Sequence, residues 1–341
     1  MITAAIIGCG RIVAEGHAYA FQALKDRVQV IAVADPVPER RALIGEMLGV
    51  PEEAWYADYR DLLSRETPDF VDLALPHFLH EEVTIACAQA GRHILSEKPL
   101  ATSLDSADRI LEAVDKAGVY LGIMHNYRYL PHNVRALELI AEGRIGDPFF
   151  VRNEGLGGGH YRGASEYDPH WRAKGERSGG GALLDNGYHN IYMAEALMGS
   201  PVKSVYAHVG TYVQKQDVDD LAVVLLEHEN GGVSSIQVSW AVRGGGQWVS
   251  EVHGTAGSLR FANGRLELFE NGRGEWLPQD AGGFDHRSSF VTLFSEFITA
   301  LEQGHPPRLD GRAARHNLAI VIAAYESSRC KRPVALSELG E

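Results

Sequence analysis

Cysteine is scarce in this chain: Cys9, Cys87 and Cys330 are three in 341 residues, far apart and odd in number. No Cys-x-x-Cys occurs, so neither a disulfide framework nor a thiolate zinc site is expected, and a reducing, cytoplasmic setting fits. Long apolar runs are missing as well. None approaches the roughly 18 residues of a membrane helix. The N-terminal run Ala4-Ala5-Ile6-Ile7 is too short for a signal-peptide core and has no basic region before it. Positive charge is in the minority, with 32 Lys and Arg against 45 Asp and Glu for a net charge of −13. A nucleic-acid or anionic-membrane partner needs a clustered basic face, so neither is expected. There is no low-complexity segment and no internal repeat. What is present is an ordinary globular balance, 45% hydrophobic and 23% charged, at a length that suggests about two domains.

The first half alternates strand-like and helix-like segments. Ile2 to Ile7 is continuously apolar, as a central parallel strand should be. It runs into Gly8-Cys9-Gly10-Arg11-Ile12-Val13, a G-x-G turn that lets a pyrophosphate approach backbone N–H groups at a helix N-terminus. The third glycine position of that pattern is Val13, so the helix is expected to sit slightly further from the strand. A second apolar run, Val28 to Ala34, ends in Asp35, 25 residues after Gly10. That is close to the spacing at which an acidic residue binds the adenosine ribose and repels a 2′-phosphate, so NAD is expected over NADP. Arg40 and Arg41 follow; they form either a solvated helix face or a phosphate contact that would admit NADP. Further strands are expected at Phe70–Leu75, His93–Leu95 and Val119–Met124, with helices at 39–48, 81–90 and 104–117. Such alternation implies a parallel sheet with right-handed crossovers. Lys98, in Ser96-Glu97-Lys98-Pro99, follows the His93–Leu95 strand, where open α/β sheets place ligands. His77 and His80, just past Pro76, either line that cleft or lie on a loop surface.

The second half changes character after Leu130-Pro131. A helix at 134–142 is followed by a strand at 149–151 and a glycine-rich loop through Gly159. Gly179-Gly180-Gly181 leads into a helix ending at Gly199. On it Asp185 and His189 are four apart and share a face. A carboxylate beside a near-neutral histidine is either a structural hydrogen bond or a general base with its orienting partner. The same pair offers two metal ligands, but no third presents itself, so no metal site is expected. From Val202 on, six strand-like runs with hairpin signals at Asn230-Gly231-Gly232 and Asn263-Gly264 predict an open, mostly antiparallel sheet. One face carries helices. The other needs cover, from Trp240, Trp248 and Phe261 or from a partner subunit. Helices at 289–301 and 312–328 close the chain.

In order and spacing the motifs resemble the Gfo/Idh/MocA family of NAD(P)-dependent oxidoreductases over nearly the whole length. They are Gly8-Cys9-Gly10-Arg11-Ile12, Asp35-Pro36, Glu97-Lys98-Pro99, Asn126-Tyr127-Arg128-Tyr129-Leu130-Pro131, Gly143-Arg144-Ile145-Gly146, His170-Trp171-Arg172, Gly179 through His189, and Asp310-Gly311. The resemblance implies an α/β Rossmann domain, residues 1–124, and an α+β C-terminal domain, residues 125–341, whose last helices pack back on the first. It implies a homodimer or homotetramer through the open sheet, and a cis Lys98-Pro99 bond. It also implies a catalytic set of Lys98, Asp185 and His189. Cofactor contacts are expected from Gly8, Gly10, Arg11, Ile12, Asp35, Pro76, His77, His80, Glu97, Lys98 and Asn126. Substrate contacts, to a polyhydroxylated small molecule, are expected from Arg128, Tyr161, Trp171, Arg172, Asp185 and His189. The implied activity is NAD-dependent oxidation of a secondary alcohol of a sugar, sugar derivative or cyclitol. A keto-sugar reductase with retained cofactor and a non-catalytic sugar-binding regulator stay open. One departure stands out: many members carry an aspartate three residues after the histidine, and this chain has Tyr192.

Overall fold

The computed structural model describes residues 1–159, 170–244, 248–262, 264–282 and 285–341. Among these, the first sheet has six strands: β1 (Ile2–Ile7), β2 (Val28–Ala34), β3 (Trp55–Tyr56), β4 (Phe70–Leu73), β5 (His93–Ser96) and β6 (Leu121–Ile123). Their order is β3-β2-β1-β4-β5-β6 and every pairing is parallel. Central strands of such a sheet are covered on both faces, and Ala4, Ala5, Ile6 and Ile7 are accordingly buried without alternation. Strand order reverses between β1 and β4, which opens a crevice beyond their carboxyl ends. The expected strand at 70–75 ends at Leu73, because Ala74 and Leu75 turn into that crevice.

The connecting helices are α1 (Ala18–Ala23), α2 (Pro38–Leu48), α3 (Tyr59–Arg65), α4 (His80–Gln89) and α5 (Leu104–Ala117). Their ends follow local chemistry. Ser103 caps α5 by accepting from the Ser106 N–H, and the helix stops at Gly118 in the left-handed region. A π-helical turn, Val13–His17, precedes α1 directly after the glycine turn.

The second sheet joins nine strands, where about six were expected. They are β7 (Pro148–Leu156), β8 (Val202–Gly210), β9 (Leu221–His228), β10 (Val233–Ser239), β11 (Trp248–Gly254), β12 (Gly257–Ala262), β13 (Arg265–Glu270), β14 (Trp276–Gln279) and β15 (Val334–Ala335), in the order β14-β13-β12-β11-β7-β10-β9-β8-β15. Only β7 and β10 pair parallel; the remaining pairings are antiparallel. The β12–β13 hairpin turns at Gly264; Asn263 lies outside the described residues. Five more helices are α6 (Pro131–Ala141), α7 (Gly175–Ser178), α8 (Tyr188–Met198), α9 (His286–Gln303) and α10 (Gly311–Cys330).

Burial in β9 alternates strictly. Ala222, Val224 and Leu226 face the helices, while Val223 and Leu225 face outward and are exposed. Tyr206 and Val233 are exposed as well. Trp240 and Phe261 do not cover this face. Trp240 donates to Asn186 Oδ1 (2.6 Å) and Phe261 stacks on His132 of α6, both on the helix-covered side, and Trp248 is itself half exposed.

The last helices return to the first sheet. Arg27 donates to Ser295, Thr299 and Glu302 of α9. Phe290, Phe294 and Phe297 of α9 pack around His17, Phe21 and Phe70. Cys9, Cys87 and Cys330 are free thiols. Among the described residues no helix is long and apolar enough to cross a membrane.

Candidate active site

A cavity of about 490 Å³ runs from the glycine turn to the start of α8. At one end the chain leaves β1 through Gly8, whose φ of +92° and close approach to the Ala74 carbonyl exclude any side chain. Gly10 has open space where a Cβ would stand, so its backbone is bare to the cavity. Asp35, at the end of β2, is buried there. Its oxygens accept the Cys9 N–H (2.8 Å) and the Val37 N–H (2.8 Å). Arg40 lines the cavity, whereas Arg41 donates to the Asp35 and Pro36 carbonyls. A bare glycine turn before a helix, beside a buried carboxylate, fits a dinucleotide.

At the other end three predicted residues converge. Lys98 follows β5, and the Lys98-Pro99 peptide is cis. Its Nζ donates to Asp185 Oδ1 (2.6 Å) and to the Asp185 carbonyl (2.8 Å). Arg172 Nε donates to the other Asp185 oxygen (3.2 Å), so each carboxylate oxygen faces a cation. Burial disfavours this carboxylate, but Lys98 and Arg172 outweigh it and hold Asp185 far below the usual range. Asp185 stands in a π-helical turn, Leu183–Gly187, that leads into α8. Asp219 fixes that turn from below, accepting the Gly181 N–H (2.7 Å) and the Leu183 N–H (2.8 Å).

His189, one turn on, is buried with its ring stacked on Tyr127 (centroids 4.0 Å apart). Burial first, then the Lys98 cation, hold it well below the usual histidine range, so the ring is neutral. Its Nδ1 lies 2.7 Å from the Tyr192 hydroxyl, which also accepts the Tyr127 N–H (3.1 Å). Tyr192 thus takes up the ring nitrogen that faces away from the cavity. A hydroxyl donates or accepts, so it holds the ring in either tautomer.

The other expected contacts divide. Gly8, Gly10, Arg11, Ile12, Pro76, His77, Glu97, Asn126, Trp171 and Arg172 line the same cavity. His77 donates from Nδ1 to the Ser178 carbonyl (2.8 Å) and meets Trp171 edge to face, and the Arg172 guanidinium lies over the indole. His80 does not line the cavity. Its ring lies between the carbonyls of Pro99 (2.7 Å) and Leu75 (2.9 Å), where it braces the Lys98-Pro99 turn. Arg128 does not line it either. In the short 3-10 turn Asn126–Tyr129 the first two side chains face the cavity, and Arg128 lies toward Arg308 and Glu296. Tyr161 lies outside the described residues.

Several lining residues went unread in the sequence: Glu15, Leu79, Tyr127, His286 and Phe290. Tyr127 sits in a quoted motif, and its position just past β6 was a usable signal. His286 and Phe290 had none, because α9 reaches the cavity only by folding back from the far end of the chain. There Asn126 Nδ2 donates to His286 Nε2 (3.1 Å).

Comparison with known proteins agrees with this layout. Residues 2–125 match a model described as an oxidoreductase family with an NAD-binding Rossmann fold, and residues 134–260 match the GFO/IDH/MocA C-terminal domain. Over 98% of its length the chain is 30% identical to D-apiose dehydrogenase of Paraburkholderia graminis, covering 90% of that protein. It is also 30% identical to myo-inositol 2-dehydrogenase of Thermotoga maritima, covering 98% of each. The crystal structure of an oxidoreductase from Agrobacterium radiobacter, in complex with NAD+, L-tartaric acid and magnesium, matches with a TM-score of 0.87 at 25% identity over 99% of both chains. A six-stranded parallel sheet ending in a glycine turn, a second mixed sheet and this likeness over almost the entire length lead to one conclusion: the chain belongs to the GFO/IDH/MocA family of oxidoreductases.

Proposed function

We propose that this protein is an NAD-dependent dehydrogenase acting on a secondary alcohol of a sugar, sugar derivative or cyclitol, with Lys98, Asp185 and His189 as its catalytic set. The observation that carries the reading is that the Lys98–Asp185 pair and His189 share one cavity with Gly10 and Asp35. The names of relatives that act on apiose and inositol support the substrate class.

An ammonium has three hydrogens. Two of those on Lys98 go to Asp185, and the third is left for a substrate oxygen, where it stabilises developing alkoxide charge. His189, neutral and at the cavity wall, takes the hydroxyl proton. When bound, NAD supplies the hydride acceptor, and the protein supplies its aim. Trp171 and Arg172 offer a flat ring and a guanidinium beside the same point, which suits a polyhydroxylated ligand. Each acid–base group contributes roughly 10²–10⁴ in rate. The division at residues 124 and 125 goes with this reading, since Gly10, Asp35 and Lys98 come from one side of it and Asp185 and His189 from the other. So does a homodimer or homotetramer through the open sheet, which would cover Tyr206, Val223, Leu225 and Val233.

The test is nicotinamide absorbance with NAD and NADP in parallel, over sugars, sugar acids, glycosides and cyclitols, and in reverse with keto sugars. NAD reduction by a polyol is expected. Lys98→Met should lower turnover by at least ~100-fold while NAD affinity stays within a few-fold. Ligand binding without turnover across the whole panel would point to a sugar-binding regulator. Unchanged turnover in Lys98→Met would remove Lys98 from the set.

A further inference from the structure

One buried charged group stands outside the reacting cluster. His17, at the end of the π-helical turn that follows the glycine turn, has no exposure to solvent. Its Nδ1 lies 2.9 Å from Asp72 Oδ2 and its Nε2 lies 3.1 Å from Glu97 Oε1. Ionised carboxylates only accept, so both ring nitrogens carry hydrogen and the ring is an imidazolium. Phe290 and Phe294 of α9 close over it at 5.1 and 5.5 Å, which keeps water off and leaves the carboxylates as its counter-charge. A Cβ on Gly16 would stand 2.6 Å from the Phe290 ring, so this closure depends on the glycine. The second Glu97 oxygen accepts the backbone N–H of Lys98 (3.1 Å). Two consecutive contacts thus connect the helix after the glycine turn to the catalytic lysine.

We propose that His17 is a positioning residue for Lys98, joining the cofactor-side helix to the lysine loop through Glu97. The proposal rests on the role given to Lys98 above. Without the cation, Asp72 and Glu97 are two buried like charges with nothing between them, and one must take up a proton or move. A displaced Glu97 releases the Lys98 amide and with it the aim of Nζ.

The test pairs His17→Asn with Asp72→Asn, so that Glu97 loses its cation but is not left beside a second buried carboxylate. The double variant is expected to melt close to wild type and to bind NADH within about 3-fold by nicotinamide fluorescence. Its kcat on the best polyol of the panel should nevertheless fall about 100-fold with KM little changed, the scale of an ångström-sized misplacement. His17→Gln in place of His17→Asn, with a side chain long enough to carry its amide hydrogens to where Nε2 meets Glu97, should recover roughly 10-fold of that loss. In a Lys98→Met background, followed by single turnover, the same pair of substitutions should cost less than about 3-fold more, because the path ends at the lysine. A kcat near wild type in the double variant, or a fully multiplicative loss in the Lys98→Met background, overturns the proposal. If the double variant does not fold, Glu97→Gln decides. A comparable kcat loss with NADH binding retained supports the path, and wild-type kcat refutes it. Failure of the underlying reading is seen separately, as normal turnover in Lys98→Met alone.

Discussion

The two ends of the cavity differ in how their side chains are held. Asp185 is fixed by Lys98 and Arg172 and cannot move without breaking both ion pairs. Asp35 is fixed by backbone N–H groups, and its oxygens keep lone pairs for a ribose. Asp35→Ala removes both the ribose acceptor and the charge that repels a 2′-phosphate. We expect NADH to bind about 10-fold more weakly, ~1.4 kcal/mol, with NADPH affected less, measured by parallel fluorescence titrations. An equal loss for both would separate Asp35 from cofactor choice. Residues at this scale were legible where a motif ties the side chain to an element end. Lys98 after β5 and Asp35 after β2 are such cases; Asp185 and His189 reach the same cavity but not as the expected pair, since Asp185 bonds Lys98 and Arg172 while His189 bonds Tyr192. Arg128 was misread because in a 3-10 turn neighbouring side chains diverge sharply, and composition does not reveal which of them faces inward.

The segment leading into α8 is the element on which the site turns. It has no room for slack: a Cβ on Gly181 would stand 1.9 Å from the Asp219 carbonyl oxygen. Gly181→Ala must displace either the Leu183–Gly187 turn or the start of β9, at a cost of about 2 kcal/mol or more. We expect a melting temperature several degrees lower, and turnover lost further than stability alone accounts for, since Asp185 rides on the same turn. A variant with wild-type melting and turnover would show that the turn adapts. The end of α5 at residue 117 was readable because a glycine stop is local chemistry, as Gly118 in the left-handed region shows. The π-helical turns at Val13–His17 and Leu183–Gly187 were not, since an extra residue in a helix leaves the apolar spacing nearly intact. Strands β14 and β15 were missed because four and two residues are too few to show a period of two.

On the scale of the whole molecule, the return of α9 and α10 links the ends of the chain to the first sheet. His316 of α10 lies between Glu195 (2.9 Å) and Glu341 (2.8 Å), and these bonds, against partial burial, raise it to about 9. In His17, burial opposes the charge, but Asp72 and Glu97 prevail and raise it to about 10. A histidine raised on folding binds its proton more tightly in the native state. Its extra stability is complete below about pH 6.5 and is lost as pH rises through the folded value. Melting temperature should therefore fall between pH 7 and 10. His316→Gln should flatten the part of that fall below about pH 9 and leave the part near 10, where His17 titrates. A pH-independent melting temperature over this range would contradict both assignments.

By itself the sequence determined the glycine turn, the order of parallel strands and helices and the mostly antiparallel second sheet. Each depends on neighbours within a few residues: apolar period, capping and turn chemistry. The lysine, aspartate and histidine of the proposed set came from the resemblance of whole motifs to a family. Only the tertiary structure decided that Lys98 meets Asp185 across 87 positions, that Tyr192 holds His189, and that His286 and Phe290 complete the wall. It also decided that His17 sits as a buried cation between Asp72 and Glu97. These contacts arise from packing between distant elements, where burial and charge pairing act at short range on residues that local sequence leaves far apart.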